Sequence, residues 1–94
     1  MLFAEKVRQL REEKQLLQRN FAAAVDIDTP LFSKLERGER RAKREQVVAI
    51  AKILKYDETE LLTLWLADKI ITAIGNEKEL AEKALKVAEK EVKQ

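Results

Sequence analysis

Six basic side chains crowd residues 34–44: Lys34, Arg37, Arg40, Arg41, Lys43 and Arg44, set against only Glu36 and Glu39. A local charge of +4 suits a polyanion, because phosphate oxygens take charge-assisted hydrogen bonds from such cations and shed their condensed counterions on binding. Just ahead of this arc, Thr29, Pro30, Ser33 and Lys34 form two pairs one helical turn apart, so a helix through them presents all four on one side. Lys34 can donate to guanine O6 or N7, while Thr29 and Pro30 offer apolar contact to a thymine methyl. Gln18, opening a helix of its own, would bring a side-chain amide and a helix N-terminus to a phosphate. The expected base readers are therefore Thr29, Pro30, Ser33 and Lys34. The expected phosphate clamps are Gln18, Arg37, Arg40, Arg41, Lys43 and Arg44, and the expected partner is double-stranded DNA.

Other chemistries lack their parts. The chain has no Cys and no His, which removes thiolate metal sites, disulfides, the commonest general base and the commonest metal ligand. The acids are scattered along helices among lysines and read as solvated faces. No metal, cofactor, small-molecule ligand or enzymatic activity is expected. With aromatics at 5%, base stacking on a single strand is poorly served. No apolar run approaches the ~20 residues of a membrane span, and no signal peptide is apparent. The cytoplasm is the expected location.

The elements that must position these groups follow from pattern and composition. Ninety-four residues, 46% of them hydrophobic and with two Gly and one Pro, fit one domain built almost wholly from strong helix formers. Net charge is +2, divided into +5 over residues 1–56 and −3 over residues 57–94, so only the front half attracts a polyanion. Phe3, Val7 and Leu10 mark an amphipathic helix over about 2–14, and Phe21, Ala22 and Val25 a second over 18–25. Asp26–Asp28 forms a tight turn, and Asp28 caps a third helix over 29–37 with Pro30 in its first turn. Gly38 ends that helix in the left-handed conformation. A fourth helix over 44–55 buries Val47, Ile50, Ala51 and Leu54. Asp57 and Glu60 have capping-box spacing for a fifth running to Ile74, which Gly75 stops. Asn76 and Glu79 repeat that spacing ahead of a sixth over 77–92, whose Ala81, Leu85, Ala88 and Val92 make a narrow seam.

Two short helices joined by a three-residue turn within 18–38 fit the helix-turn-helix plan, and here the chain resembles the Cro/repressor-like regulators, also called the XRE family. The resemblance rests on Leu10-Arg11-Glu12-Glu13-Lys14, on Gln18 and Ala22, and above all on Ser33-Lys34-Leu35-Glu36-Arg37-Gly38. Val47, Ile50-Ala51-Lys52 and Leu54 continue it, as does Glu60-Leu61. The chain departs from the family where a capping Ser or Thr gives way to Leu17, a turn glycine to Asp26, and where Pro30 stands at the exposed start of the third helix. The resemblance implies an all-α, lambda-repressor-like five-helix DNA-binding domain over 1–74 with an additional C-terminal helix over 75–94. It also implies a transcriptional regulator; antitoxins, restriction-modification controllers and adaptors that have lost DNA binding share the fold. Within the signature, Glu36 reads as a structural acid pairing a nearby arginine.

A regulator of this size is expected to act as a homodimer on an inverted repeat, because one domain reads few base pairs. Leu61, Leu64, Trp65, Ile71 and Ile74 span more of the fifth helix than helices one and four would cover, and they are the expected dimer interface. The sixth helix is expected, most simply, to pack back on its own domain, with a role in the dimer as the second reading.

Overall fold

The computed structural model describes residues Met1 to Gln94 as six α-helices and no strand. They are α1 (Leu2–Glu13), α2 (Gln18–Ala24), α3 (Thr29–Glu36), α4 (Arg44–Leu54), α5 (Glu58–Ile74) and α6 (Lys78–Val92). One core joins the first five. Phe3, Val7 and Leu10 of α1 meet Phe21 of α2, Phe32 and Leu35 of α3, Ile50 and Leu54 of α4, and Leu61 and Trp65 of α5. The Phe21 and Phe32 rings lie 5.4 Å apart at 31°, fixing α2 against α3 with the tilted geometry that aromatic pairs favour. This is the all-α, lambda-repressor-like fold that the resemblance implied.

Short connections rely on left-handed residues just past the helix ends. Gln15 follows α1, Asp26 follows α2, Gly38 follows α3 and Lys55 follows α4, all with φ between 54° and 75°. At each end the next amide reaches back to close the helix, as Ile27 N–H does to the Ala22 carbonyl at 2.9 Å and Tyr56 N–H to Ala51 at 3.0 Å. Such αL closures satisfy the last carbonyls of a helix. Only Gly38 adopts this conformation without a Cβ penalty; a non-glycine residue there loses roughly 1–2 kcal/mol, partly offset by the greater chain entropy that glycine gives up. Lys55→Gly is therefore expected to stabilise the domain by about 0.5–1 kcal/mol and to raise its melting temperature by a few degrees. A calorimetric scan showing an unchanged or lower melting temperature would contradict this.

The caps agree with the sequence in part. The Asp28 carboxylate accepts from Leu31 N–H at 2.8 Å, and Pro30 lies in the first turn of α3. At α5 the Asp57 carboxylate accepts from Glu60 N–H at 3.2 Å, but Glu60 turns to the Tyr56 hydroxyl instead of closing the box. The second expected box does not form: Glu77, not Asn76, occupies the cap of α6, and no side chain bonds there. α1 is capped from a distance. The buried Asp68 of α5 accepts from Leu2 N–H at 2.8 Å and Phe3 N–H at 3.0 Å, placing a carboxylate on two free amides where the helix dipole favours it. Asp68 sits on the inward face of α5 with Leu61 and Trp65, an acid at an apolar register position.

Two expectations about the rear of the molecule are corrected. Leu61 and Trp65 are not surface residues awaiting a partner: Leu61 is fully buried and Trp65 only 8% exposed within the single chain. The inward side of α5 is used against α1 and α4, so less of α5 is spare than the pattern implied. Leu64 and Ile74 are half-buried and Ile71 is exposed; together with Leu66 and Ile70, they leave the apolar excess on the outward side of α5. Nor does α6 fold back to cover it. No residue of α6 is buried, and the Cα radius of gyration is 14.9 Å, against about 12 Å for a compact chain of this length.

Candidate nucleic-acid interface

The interface is built on α3, and burial sorts its residues into two sides. Phe32, Leu35 and Glu36 point into the domain, while Thr29, Pro30, Lys34 and Arg37 are exposed and Ser33 is half-buried. A period of 3.6 residues turns Pro30, Lys34 and Arg37 outward once Phe32 and Leu35 enter the core, whereas Thr29, three residues before Phe32, is exposed at the very start of the helix. Of the expected base readers, Pro30 and Lys34 thus lie on the side of α3 away from the core, with Thr29 exposed at its first turn and Ser33 half-buried on its flank.

Behind that face lies a polar hub. Arg11, at the end of α1, forms a two-pronged ion pair with Glu36, Nε to Oε2 at 2.6 Å and Nη2 to Oε1 at 2.9 Å. The same guanidinium donates to the Leu16 carbonyl at 2.7 Å, closing the α1–α2 loop. Gln18 completes the set, its Nε2 donating to Glu36 Oε1 at 3.0 Å. The Arg11 and Glu36 side chains are only 14% and 3% exposed, and the bonds to Glu36 hold the guanidinium above its ordinary pKa despite burial. A buried carboxylate demands such partners, so the arginine that Glu36 was expected to pair with is Arg11. Gln18 is consequently half-buried and commits one amide hydrogen inside the protein. Arg11 was not singled out as the partner because it reads as one more polar position of α1; its signal was its place in the Leu10–Lys14 stretch on which the resemblance rests.

The basic arc is less uniform than its sequence. Arg37 is braced across the end of α3, bonded to Ser33 Oγ at 2.5 Å and paired with Glu39. Arg41 turns toward α5, donating to Thr72 Oγ1 at 2.9 Å, and the Thr72 hydroxyl in turn donates to the Asp68 carbonyl. Lys34, Arg40, Lys43 and Arg44 are exposed and form no ion pair within the chain. So does Arg19, exposed in the first turn of α2 beside Gln18, a cation that sequence reasoning overlooked. The loop bearing the arc is anchored by Trp65, whose buried Nε1–H donates to the Ala42 carbonyl at 2.8 Å. Lys69 covers the other side of that ring, its Nζ 3.7 Å from the centroid, a cation–π contact. Gly38 leaves room at the start of the loop: a Cβ there would stand 2.8 Å from Met1 Cγ.

A family model described as a helix-turn-helix domain matches residues 2–64, the stretch that carries α1 to α4, the first turns of α5 and every core residue but Trp65. The chain belongs to the helix-turn-helix domain family, which points to DNA as its partner and to transcriptional regulation as its role. No curated protein and no solved structure gives a match. No helix is long and apolar enough to cross a membrane.

Proposed function

We propose that this protein is a sequence-specific transcriptional regulator of the Cro/repressor-like kind, binding an inverted repeat in double-stranded DNA as a homodimer. The observation that carries the reading is the two-sidedness of α3. Its inner side is locked by Phe32, Leu35 and the Arg11–Glu36–Gln18 hub, and its outer side offers Thr29, Pro30, Ser33 and Lys34 to the major groove. A helix held rigidly from behind can discriminate bases, because each misplaced contact then costs its full energy. Arg40, Lys43, Arg44 and Arg19 serve the phosphates, with Gln18 contributing its uncommitted amide hydrogen and Arg37 and Arg41 joining once released from Glu39 and Thr72. Twofold symmetry would set two recognition helices about 34 Å apart, one turn of DNA.

The test is selection of binding sites from random duplex DNA by the wild type and by Lys34→Ala. The wild type is expected to return an inverted repeat. The variant should lose about 1–3 kcal/mol on that site and relax one base position in each half-site. An unchanged motif at every position would remove Lys34 from base reading, and enrichment of no motif by the wild type would overturn sequence-specific binding.

A further inference from the structure

α6 is amphipathic with nothing to be amphipathic against. From the 100° turn per residue, Leu80, Ala81, Ala84, Leu85, Val87 and Ala88 form an apolar strip roughly 160° wide, yet no α6 residue is buried. Leu80 is 56% and Val87 69% exposed. Toward α5, Leu80, Ala81, Ala84, Leu85 and Ala88 of this strip line one groove with Ile70, Ala73 and Ile74, apolar but for Glu77, while Val87 lies on the strip's other flank. Surfaces of this extent are interfaces.

We propose that the groove is filled by α6 of a second copy of this chain, reciprocally, so that the two α6 helices cross antiparallel between the two α5 tails. This deepens the homodimer reading above and rests on it. Charge selects the occupant. Residues 77–94 carry five Lys and five Glu, so this end neither repels a copy of itself nor attracts DNA or an acidic partner. It also lacks the basic excess with which amphipathic helices hold anionic lipid. Shape agrees: an antiparallel crossing centred on Ala84 sets Leu80 of one copy over Ala88 of the other and Val87 over Ala81. Such large-over-small alternation lets layers interdigitate, and alanine at the crossing lets the backbones approach.

Because α6 contributes nothing to the core, its substitution tests the interface without unfolding the domain. The wild type should sediment as a dimer at micromolar concentration in the absence of DNA. Leu80→Glu and Val87→Glu should each sediment as folded monomers whose melting temperature, unlike that of the wild type, no longer rises with protein concentration, and their affinity for the selected inverted repeat should fall about 100-fold or more as avidity is lost. The chain has no cysteine of its own, so Ala84→Cys should form a disulfide-linked dimer on mild oxidation while Lys86→Cys, on the charged side, should not. A monomeric wild type, or glutamate variants that remain dimeric, would overturn the proposal, as would a monomer that binds anionic phosphatidylglycerol vesicles through α6. A wild type that dimerises through α6 yet selects no DNA motif would leave this interface standing and remove the DNA reading instead.

Discussion

Glu36→Ala is expected to be among the most damaging single substitutions outside the apolar core, costing about 3–5 kcal/mol and lowering the melting temperature by more than about 12 °C. The carboxylate takes three hydrogen bonds from two side chains that enter from α1 and the start of α2. Removing it strands the Arg11 guanidinium in a site where it is 14% exposed, and a buried charge without a partner is far costlier than the pair was stabilising. Glu36→Gln should cost less, because a neutral amide still bonds Arg11 and Gln18 while forfeiting the charge. Replacing both members, as in Arg11→Met with Glu36→Met, should recover much of the loss, since no charge is then left behind. The check is urea or thermal unfolding of the three proteins. A Glu36→Ala melt within about 2 °C of wild type would show that the hub is solvent-accessible and adds little. DNA affinity should fall with Glu36→Gln even where the domain remains folded, because the hub fixes the angle at which α3 presents Lys34.

Trp65→Ala should destabilise the domain by about 3–5 kcal/mol and leave it partly unfolded at physiological temperature, given total stabilities of about 5–15 kcal/mol for domains of this kind. The indole supplies both a large apolar surface beside Phe3 and Ala4 of α1, Leu35 of α3 and the 38–42 loop and a buried hydrogen bond to the Ala42 carbonyl. Trp65→Phe separates the two roles. It keeps most of the packing, should lose about 1 kcal/mol for the hydrogen bond, and unpins the loop carrying Arg40, Arg41 and Lys43. Its DNA affinity should therefore fall more than its stability, with a shallower dependence on salt as fewer phosphates are held at once. Circular dichroism reports the folding arm and binding titrations over a salt series report the other. Equal losses in both would show that Trp65 acts on the loop only through the core.

The molecule's local structure was legible in its residues. Helix limits followed from apolar spacing, from Asp28 and Pro30 at the head of α3, and from Gly38 at its tail, because these effects act within a few residues of where they are encoded. The outward placement of Pro30 and Lys34 followed as well: once Phe32 and Leu35 are buried, helical periodicity leaves those positions no other side, while Thr29 and Ser33 stand on the flanks. The left-handed turns at Gln15 and Lys55 escaped notice, since neither residue advertises a positive φ, and the helix end forces it on whichever residue stands there.

Contacts between distant segments were decided by the tertiary structure. Asp68 looks like an ordinary solvated acid until α1 brings two unsatisfied amides against it, 66 and 65 residues away in sequence. Arg11 acquires a purpose only beside Glu36, and the six cations of residues 34–44 divide only when Glu39 takes one and Thr72 another. Leu61 and Trp65 show the same limit from the other side. Their apolarity was plain, but an apolar side chain reads alike whether its own chain or a second copy will cover it, because the hydrophobic effect depends on area removed from water and not on whose atoms remove it. Packing of α1 and α4 on α5 claimed those two residues, and the absence of any such packing on α6 left its strip exposed.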